Sequence, residues 1–178
     1  MIKDKPTEIC TERLSLRSIN DTDKDNIIKI ITNKKIAETF ILPDFKSSEE
    51  EIRLYNRLKE LSQKNDRFVY GIALDGKIIG FINDVEIVND TIELGFAIHP
   101  EYHNCGFATE SLSAAIKVLF DMGYKTVKTG VFECNLPSQR VMEKAGMTKL
   151  DDTESIEYRG VTHKCFFYEI KSENVFQF

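Results

Sequence analysis

The hydrophobic period of this chain changes at residue 107, and that change limits the folds open to it. Upstream, "RFVYGIAL", "KIIGFINDVEI" and "TIELGFAIHP" have strand-like length and composition, separated by the turn signals Asp75-Gly76 and Asn89-Asp90. Turns this short join antiparallel neighbours, so the three segments predict a meander. From Phe107 the spacing becomes helical: Ala108, Leu112, Ala115, Ile116, Leu119 and Phe120 share one face, and Gly123 ends the run. A helix with such a stripe must bury it, and the meander before it offers the surface.

The flanking segments extend the same plan. In "TERLSLRSI", Leu14 and Leu16 alternate with the outward Ser15 and Arg17, and Ile27, Ile28, Ile30 and Ile31 follow as a helix behind acidic capping residues. Ser47 or Ser48 with Glu50 or Glu51 forms a capping box for a helix carrying Ile52, Tyr55, Leu58 and Leu61. Downstream come a strand at "KTVKTGVF", a short helix over roughly 136–145 between Pro137 and Gly146, and closing strands at "EYRG" and "THKCFFYEIK". The sum is an α+β fold with a mixed, mostly antiparallel sheet of about six to seven strands and about four helices. The 178 residues show no Pro/Gly/Ser-rich linker and no repeat, so residues 1–178 are expected to form one domain.

Several function classes are disfavoured. A net charge of −5 without a basic cluster speaks against nucleic acid and is compatible with a cationic substrate. Apolar runs stop far short of the ~20 residues that cross a bilayer, and no signal-peptide core follows Met1, so no membrane association and a cytoplasmic location are expected. Cys10, Cys105, Cys134 and Cys165 form no CxxC pair, and three His lack ligand spacing, which predicts no metal and no disulfide framework. The apolar Val175, Phe176 and Phe178 point to packing against the body or a second subunit, leaving monomer and homodimer both open.

The stretch "HPEYHNCGFATESL" joins a strand to the N-terminus of the period-switched helix. The first N–H groups of a helix lack internal partners and its dipole favours anions, while Gly106 permits close backbone approach. A plain turn capped by Asn104 would explain the same residues. Glu93 lies two residues before Gly95, on one strand face, either as a solvated carboxylate or as a base. Asn135 and Ser138 fit an N-cap and the residue three positions on. Cys105 lacks the supporting His and acid that a cysteine nucleophile needs.

Three segments together resemble the GNAT N-acetyltransferases. "IELGFAIHPEYHNCGFATESL" is similar to their acetyl-CoA-binding signature, with His103-Asn104-Cys105-Gly106-Phe107-Ala108 on the Arg/Gln-x-x-Gly-x-Gly/Ala pattern. "TERLSLR" and "NLPSQRVMEKAGM" resemble the ribosomal-protein N-terminal acetyltransferase branch. The resemblance implies a sheet that splays in a V after the fourth of the seven strands expected here, with acetyl-CoA as co-substrate. The main chain of Phe96, Ala97 and Ile98 would meet the pantetheine arm. The loop His103, Asn104, Cys105, Gly106, Phe107, Ala108, with Thr109, would meet the pyrophosphate. It also implies Glu93 as general base, Asn135 on the cofactor arm and Ser138 near the thioester sulfur. His103 and Cys105 depart from the usual residues, a protonated His103 being the loop's own source of charge, and Met142 stands where many relatives carry a tyrosine acid. The implied reaction is direct acetyl transfer to a primary amine, on a protein N-terminus or a small molecule. The alternative is a non-catalytic acetyl-CoA-binding module.

Overall fold

The computed structural model describes residues 2–175, so the expectation for Phe176 and Phe178 lies outside the described residues. Eight strands form one sheet in the order β1-β2-β3-β4-β5-β6-β8-β7. They are β1 (Glu8–Cys10), β2 (Leu14–Arg17), β3 (Val69–Leu74), β4 (Lys77–Val88), β5 (Thr91–Ile98), β6 (Thr126–Phe132), β7 (Thr148–Tyr158) and β8 (Val161–Lys171). The helices are α1 (Lys24–Ile31), α2 (Lys34–Ala37), α3 (Ser48–Ser62), α4 (Phe107–Met122), α5 (Leu136–Lys144) and α6 (Ser172–Val175).

The period switch builds the centre of the molecule. Strands β3, β4 and β5 pair antiparallel through the expected turns, and Asp75, Gly76 and Asn89 take positive φ there. Helix α4 starts at Phe107 and ends at Gly123, whose φ of 110° closes the helix in the left-handed conformation. Its stripe of Leu112, Ala115, Ile116 and Leu119 is fully buried against Leu16, Ile72, Leu94 and Val127 on one face of the sheet. On the other face, Ile27, Ile31 and Tyr55 from α1 and α3 pack on Val69, Phe81 and Ala97. The result is three layers, helix on sheet on helix.

Three local expectations need correction. The sheet has one strand more than the six to seven expected, because the three-residue β1 pairs with β2 and carries only Ile9 inward. Strand β7 begins at Thr148, well before "EYRG"; its exposed, polar stretch "TKLDDTESIE" has a loop-like composition but forms a sheet edge, with a register shift between Lys149 and Thr153. The capping box at α3 does not form: Ser47 makes no side-chain cap bond, and Glu50 accepts from the amide of Lys46, one residue before the N-cap, at 2.7 Å.

Candidate active site

Strands β5 and β6 run parallel and pair only over Thr91–Glu93 with Thr126–Lys128. Beyond Glu93 they separate, which is the expected V. Peptide direction fixes what the open edge of β5 presents. The His99 amide donates to the Ile79 carbonyl of β4, so the Ile98 carbonyl, on the opposite side of that peptide, faces the fork. The Ala97 carbonyl instead lies against Gly80 on the β4 side. Main-chain groups of Phe96 and Ile98 therefore point into the fork, and those of Ala97 turn away from it.

A cleft of about 590 Å³ occupies the fork and passes from one sheet face to the other. On one side it is walled by the α4 N-terminus and α5, and on the other by Lys35, Ile36, Thr39 and Phe40. The α4 end is open: the N-cap is Gly106 with φ 83°, which has no side chain to cap with, and the first helical bond runs from the Glu110 amide to the Gly106 carbonyl at 3.0 Å. The amides of Phe107, Ala108 and Thr109 thus have no intrahelical acceptor, and all three residues line the cleft. Asn104 reaches φ 60°, so two left-handed residues bring the loop around this end.

His103, Asn104 and Gly106 also line the cleft, whereas Cys105 lies outside its lining. The His103 ring is folded back, its Nε2 2.7 Å from the Ile98 carbonyl, and must donate there. It closes the end of β5 instead of extending over the loop. Cations come from elsewhere: Arg140 and Lys144 of α5 and Lys35 of α2 line the cleft. Neither Arg140 nor Lys144 is among the site residues the resemblance implies, but their separation of four residues, about one helical turn, is the signal that both stand on one face of α5.

Asn135 caps α5, its Oδ1 accepting from the Ser138 amide at 3.3 Å, and both residues line the cleft. Capping and a place in the site coexist. Glu93 sits at the apex of the fork as the last paired residue of β5, and its Oε1 is 3.4 Å from where a Cβ on Gly130 would stand. Gly95 and Gly130 line the cleft, whereas Glu93 itself lies just outside its lining, behind Gly130. Burial pushes the Glu93 carboxyl above the ordinary carboxylate range, and Glu86 and Glu154 add to this against the opposing Lys128. A bulge in β4 between Asp84 and Glu86 sets Glu86 directly across from Glu93. Beside them Asn83 donates its Nδ2 to the Asp84 carbonyl at 3.0 Å, which leaves a buried Oδ1 without a partner next to Gly95.

On the acceptor side, Phe40 lines the cleft edge-on to Phe81. Phe45 packs on the helix-side core, and Asp44 is exposed and paired with Lys46. Tyr158 is buried with Phe132 and Cys165. Its hydroxyl meets the Leu42 amide at 3.3 Å and the Leu42 carbonyl at 3.2 Å, so it fastens the loop after α2 and does not line the cleft.

A forked sheet with an uncapped helix N-terminus at its mouth is the GNAT architecture, and residues 13–148 match the acetyltransferase (GNAT) domain family. The chain belongs to that family and is an acetyltransferase. It is 30% identical over 144 residues to the uncharacterized N-acetyltransferase YoaA of Bacillus subtilis, covering 78% of this chain and 81% of that one. It is 24% identical to the probable N-acetyltransferase YjcK of the same organism, covering 75% and 80%. In three dimensions it is similar to a GNAT acetyltransferase from Bacillus anthracis, with TM-score 0.79, 24% identity and coverage of 93% and 99%. It is likewise similar to RimL, a ribosomal L7/L12 alpha-N-protein acetyltransferase solved with coenzyme A, with TM-score 0.81, 18% identity and coverage of 92% and 97%. Among the described residues no helix is long and apolar enough to cross a membrane.

Proposed function

We propose that this chain transfers an acetyl group from acetyl-CoA to a primary amine, on a protein N-terminus or a small molecule, by direct attack within a ternary complex. The observation that carries this reading is the fork itself: a carboxylate at its apex, a continuous cleft through it, and an uncapped α4 N-terminus at its mouth. The site suits acetyl-CoA. Main-chain groups of Phe96 and the Ile98 amide offer a strand edge to an amide-bearing arm, the Ile98 carbonyl being held by His103, and Asn135 stands beside it. The amides of Phe107, Ala108 and Thr109 suit a pyrophosphate, with Gly106 allowing close approach and Arg140 and Lys144 adding positive charge. Bound there, acetyl-CoA supplies the acetyl group as an activated thioester.

The residues of the chain divide the remaining work. Phe40 and Thr39 guide the acceptor toward the fork from the face opposite α4. Glu93 takes the proton from the acceptor ammonium, and a carboxyl raised by burial is better matched to that task than a solvated one. The Ser138 hydroxyl orients the sulfur and passes to the leaving thiolate a proton that it regains from water, being too weak an acid to donate unaided. Met142 lies buried in the cleft wall and has no proton to give.

Two measurements test the reading. Acetyl-CoA is expected to raise the thermal midpoint, as any ligand selective for the native state does. A panel of amines and N-terminal peptides, followed by free-thiol release, is expected to contain acceptors that turn over. A thermal shift without release on any amine favours the binding module, and no shift at millimolar cofactor overturns the reading itself.

A further inference from the structure

The pyrophosphate loop does not stand alone. Across it lies Arg13, from the turn between β1 and β2, which joins Thr11, Glu110 and the Cys105 carbonyl in one hydrogen-bonded cluster. The Arg13 guanidinium forks onto Glu110, with Nε 2.8 Å and Nη2 2.7 Å from Glu110 Oε2. Its Nη1 donates to the Cys105 carbonyl at 2.9 Å. The Arg13 amide and the Thr11 hydroxyl both donate to Glu110 Oε1, at 2.9 and 2.6 Å. The guanidinium lies over the Phe107 ring, 4.5 Å from its centroid, and Nη2 is 3.3 Å from where a Cβ on Gly106 would be.

This arrangement solves two problems that the loop poses for an anion. Glu110 is the acidic residue in the first turn of α4, one residue beyond the three amides without acceptors. Burial alone would push its carboxyl up, but the bonds from Thr11 and Arg13 outweigh that and keep it ionised. A negative charge so placed favours the empty helix end and opposes a pyrophosphate docking there. Arg13 cancels it with an ion pair in which two guanidinium nitrogens share the one oxygen, Oε2. The second problem is the Cys105 carbonyl, which precedes the left-handed Gly106. Held by Arg13, it points away from the cleft, and the amides that follow are left facing in.

We propose that Arg13 is a positioning residue for the cofactor's phosphates: it neutralises Glu110 and fixes the Cys105 peptide so that the α4 amides accept a pyrophosphate. The proposal rests on the reading that acetyl-CoA binds at this helix end. It also gives part of "TERLSLR" a task that its spacing alone did not reveal.

The test compares acetyl-CoA with S-acetyl-pantetheine, which has the same thioester arm and no phosphate. Wild-type protein that binds neither would sink the reading of the site and leave Arg13 without a task. If wild-type binds acetyl-CoA, Arg13→Ala is expected to weaken it about tenfold or more, the scale of one lost charge-assisted contact. KM for acetyl-pantetheine and kcat on either donor should stay within about twofold. Adding Glu110→Gln to Arg13→Ala should restore much of the acetyl-CoA affinity, because the unpaired carboxylate is then gone. Equal losses for both donors, or no loss for either, would overturn the proposal in favour of a structural clamp. Should Arg13→Ala fail to fold, Arg13→Lys carries the same comparison, since Lys cannot reach Glu110 and Cys105 together.

Discussion

At the scale of single residues, Glu93 holds a function and a stability cost in one carboxyl. Its pKa is raised, chiefly by burial and then by Glu86. As the base it must be ionised, so kcat/KM is expected to fall as pH drops through a limb lying above the usual carboxylate range. Glu93→Gln should lose about 10² in kcat or more and abolish that limb, read from rates on one acceptor across pH. The same shift predicts a gain in stability. Between the unfolded pKa and the higher folded one the native state binds more protons, so stability falls as pH rises through that window, and the full penalty is present above the folded pKa. Glu93→Gln should therefore melt higher than wild type near pH 7, with the difference shrinking as the pH falls below both values. A variant that is slower and less stable would argue that Glu93 is held by favourable partners. The sequence placed Glu93 and Gly95 on one face, but the bulge that brings Glu86 opposite, and so adds to the effect of burial, has no signal in a local pattern.

At the scale of elements, the legible parts were those that local physics dictates. Asp75-Gly76 and Asn89-Asp90 set their turns, Gly123 ended α4, and the apolar stripe of α4 found the sheet. Strand β7 was mostly hidden because an exposed edge strand has no buried face to impose alternation. Gly106 was visible as a glycine, but its φ of 83° follows from the loop as a whole. Gly106→Ala is expected to cost roughly 1–2 kcal/mol, from a left-handed alanine and a Cβ 3.3 Å from Arg13 Nη2, and to weaken acetyl-CoA in the same step. Chemical denaturation with and without cofactor checks both. The β7–β8 hairpin acts on the opposite side of the cleft, since Tyr158 bonds the loop that carries Phe40. Tyr158→Phe should cost about 1 kcal/mol and raise KM for the acceptor, with KM for acetyl-CoA unchanged, because only the acceptor wall loses its tie. A rise in both constants would place Tyr158 in the core at large.

At the scale of the whole molecule, the sequence suggested the layers but not the fork. Pairing of β5 with β6 spans α4 and stops after three residues, a fact of three-dimensional closure that neither strand's pattern encodes. The resemblance to known acetyltransferases supplied it instead, and with it the meaning of a loop that by itself said only that an anion would fit. Long-range closure shows again at the N-terminus, where Lys5 crosses to α3 and β3. Its buried ammonium donates to the Ser62 carbonyl at 2.7 Å and the Val69 carbonyl at 2.9 Å, and it lies 4.4 Å from the Tyr70 ring centroid. Burial lowers its pKa to about 8, against the pull of Asp84 and Asp66. The unfolded chain keeps Lys5 protonated to a higher pH than the folded one, so between about 8 and the ordinary lysine value the unfolded state binds more protons and stability rises with pH. The gain should reach on the order of 1 kcal/mol by roughly pH 9.5, below the range where unfolded tyrosines ionise and reverse the trend. Denaturation midpoints at pH 7.5 and 9.5 read it directly. Lys5→Met removes this rise and leaves the opposing effect of the buried Cys165 thiol, whose pKa burial raises, so its midpoint should stay level or fall across the same interval, and lie below wild type at the alkaline end because both carbonyls lose their donor. A wild-type midpoint that falls from pH 7.5 to 9.5, or a Lys5→Met midpoint that still climbs, would place the alkaline stabilisation elsewhere in the fold.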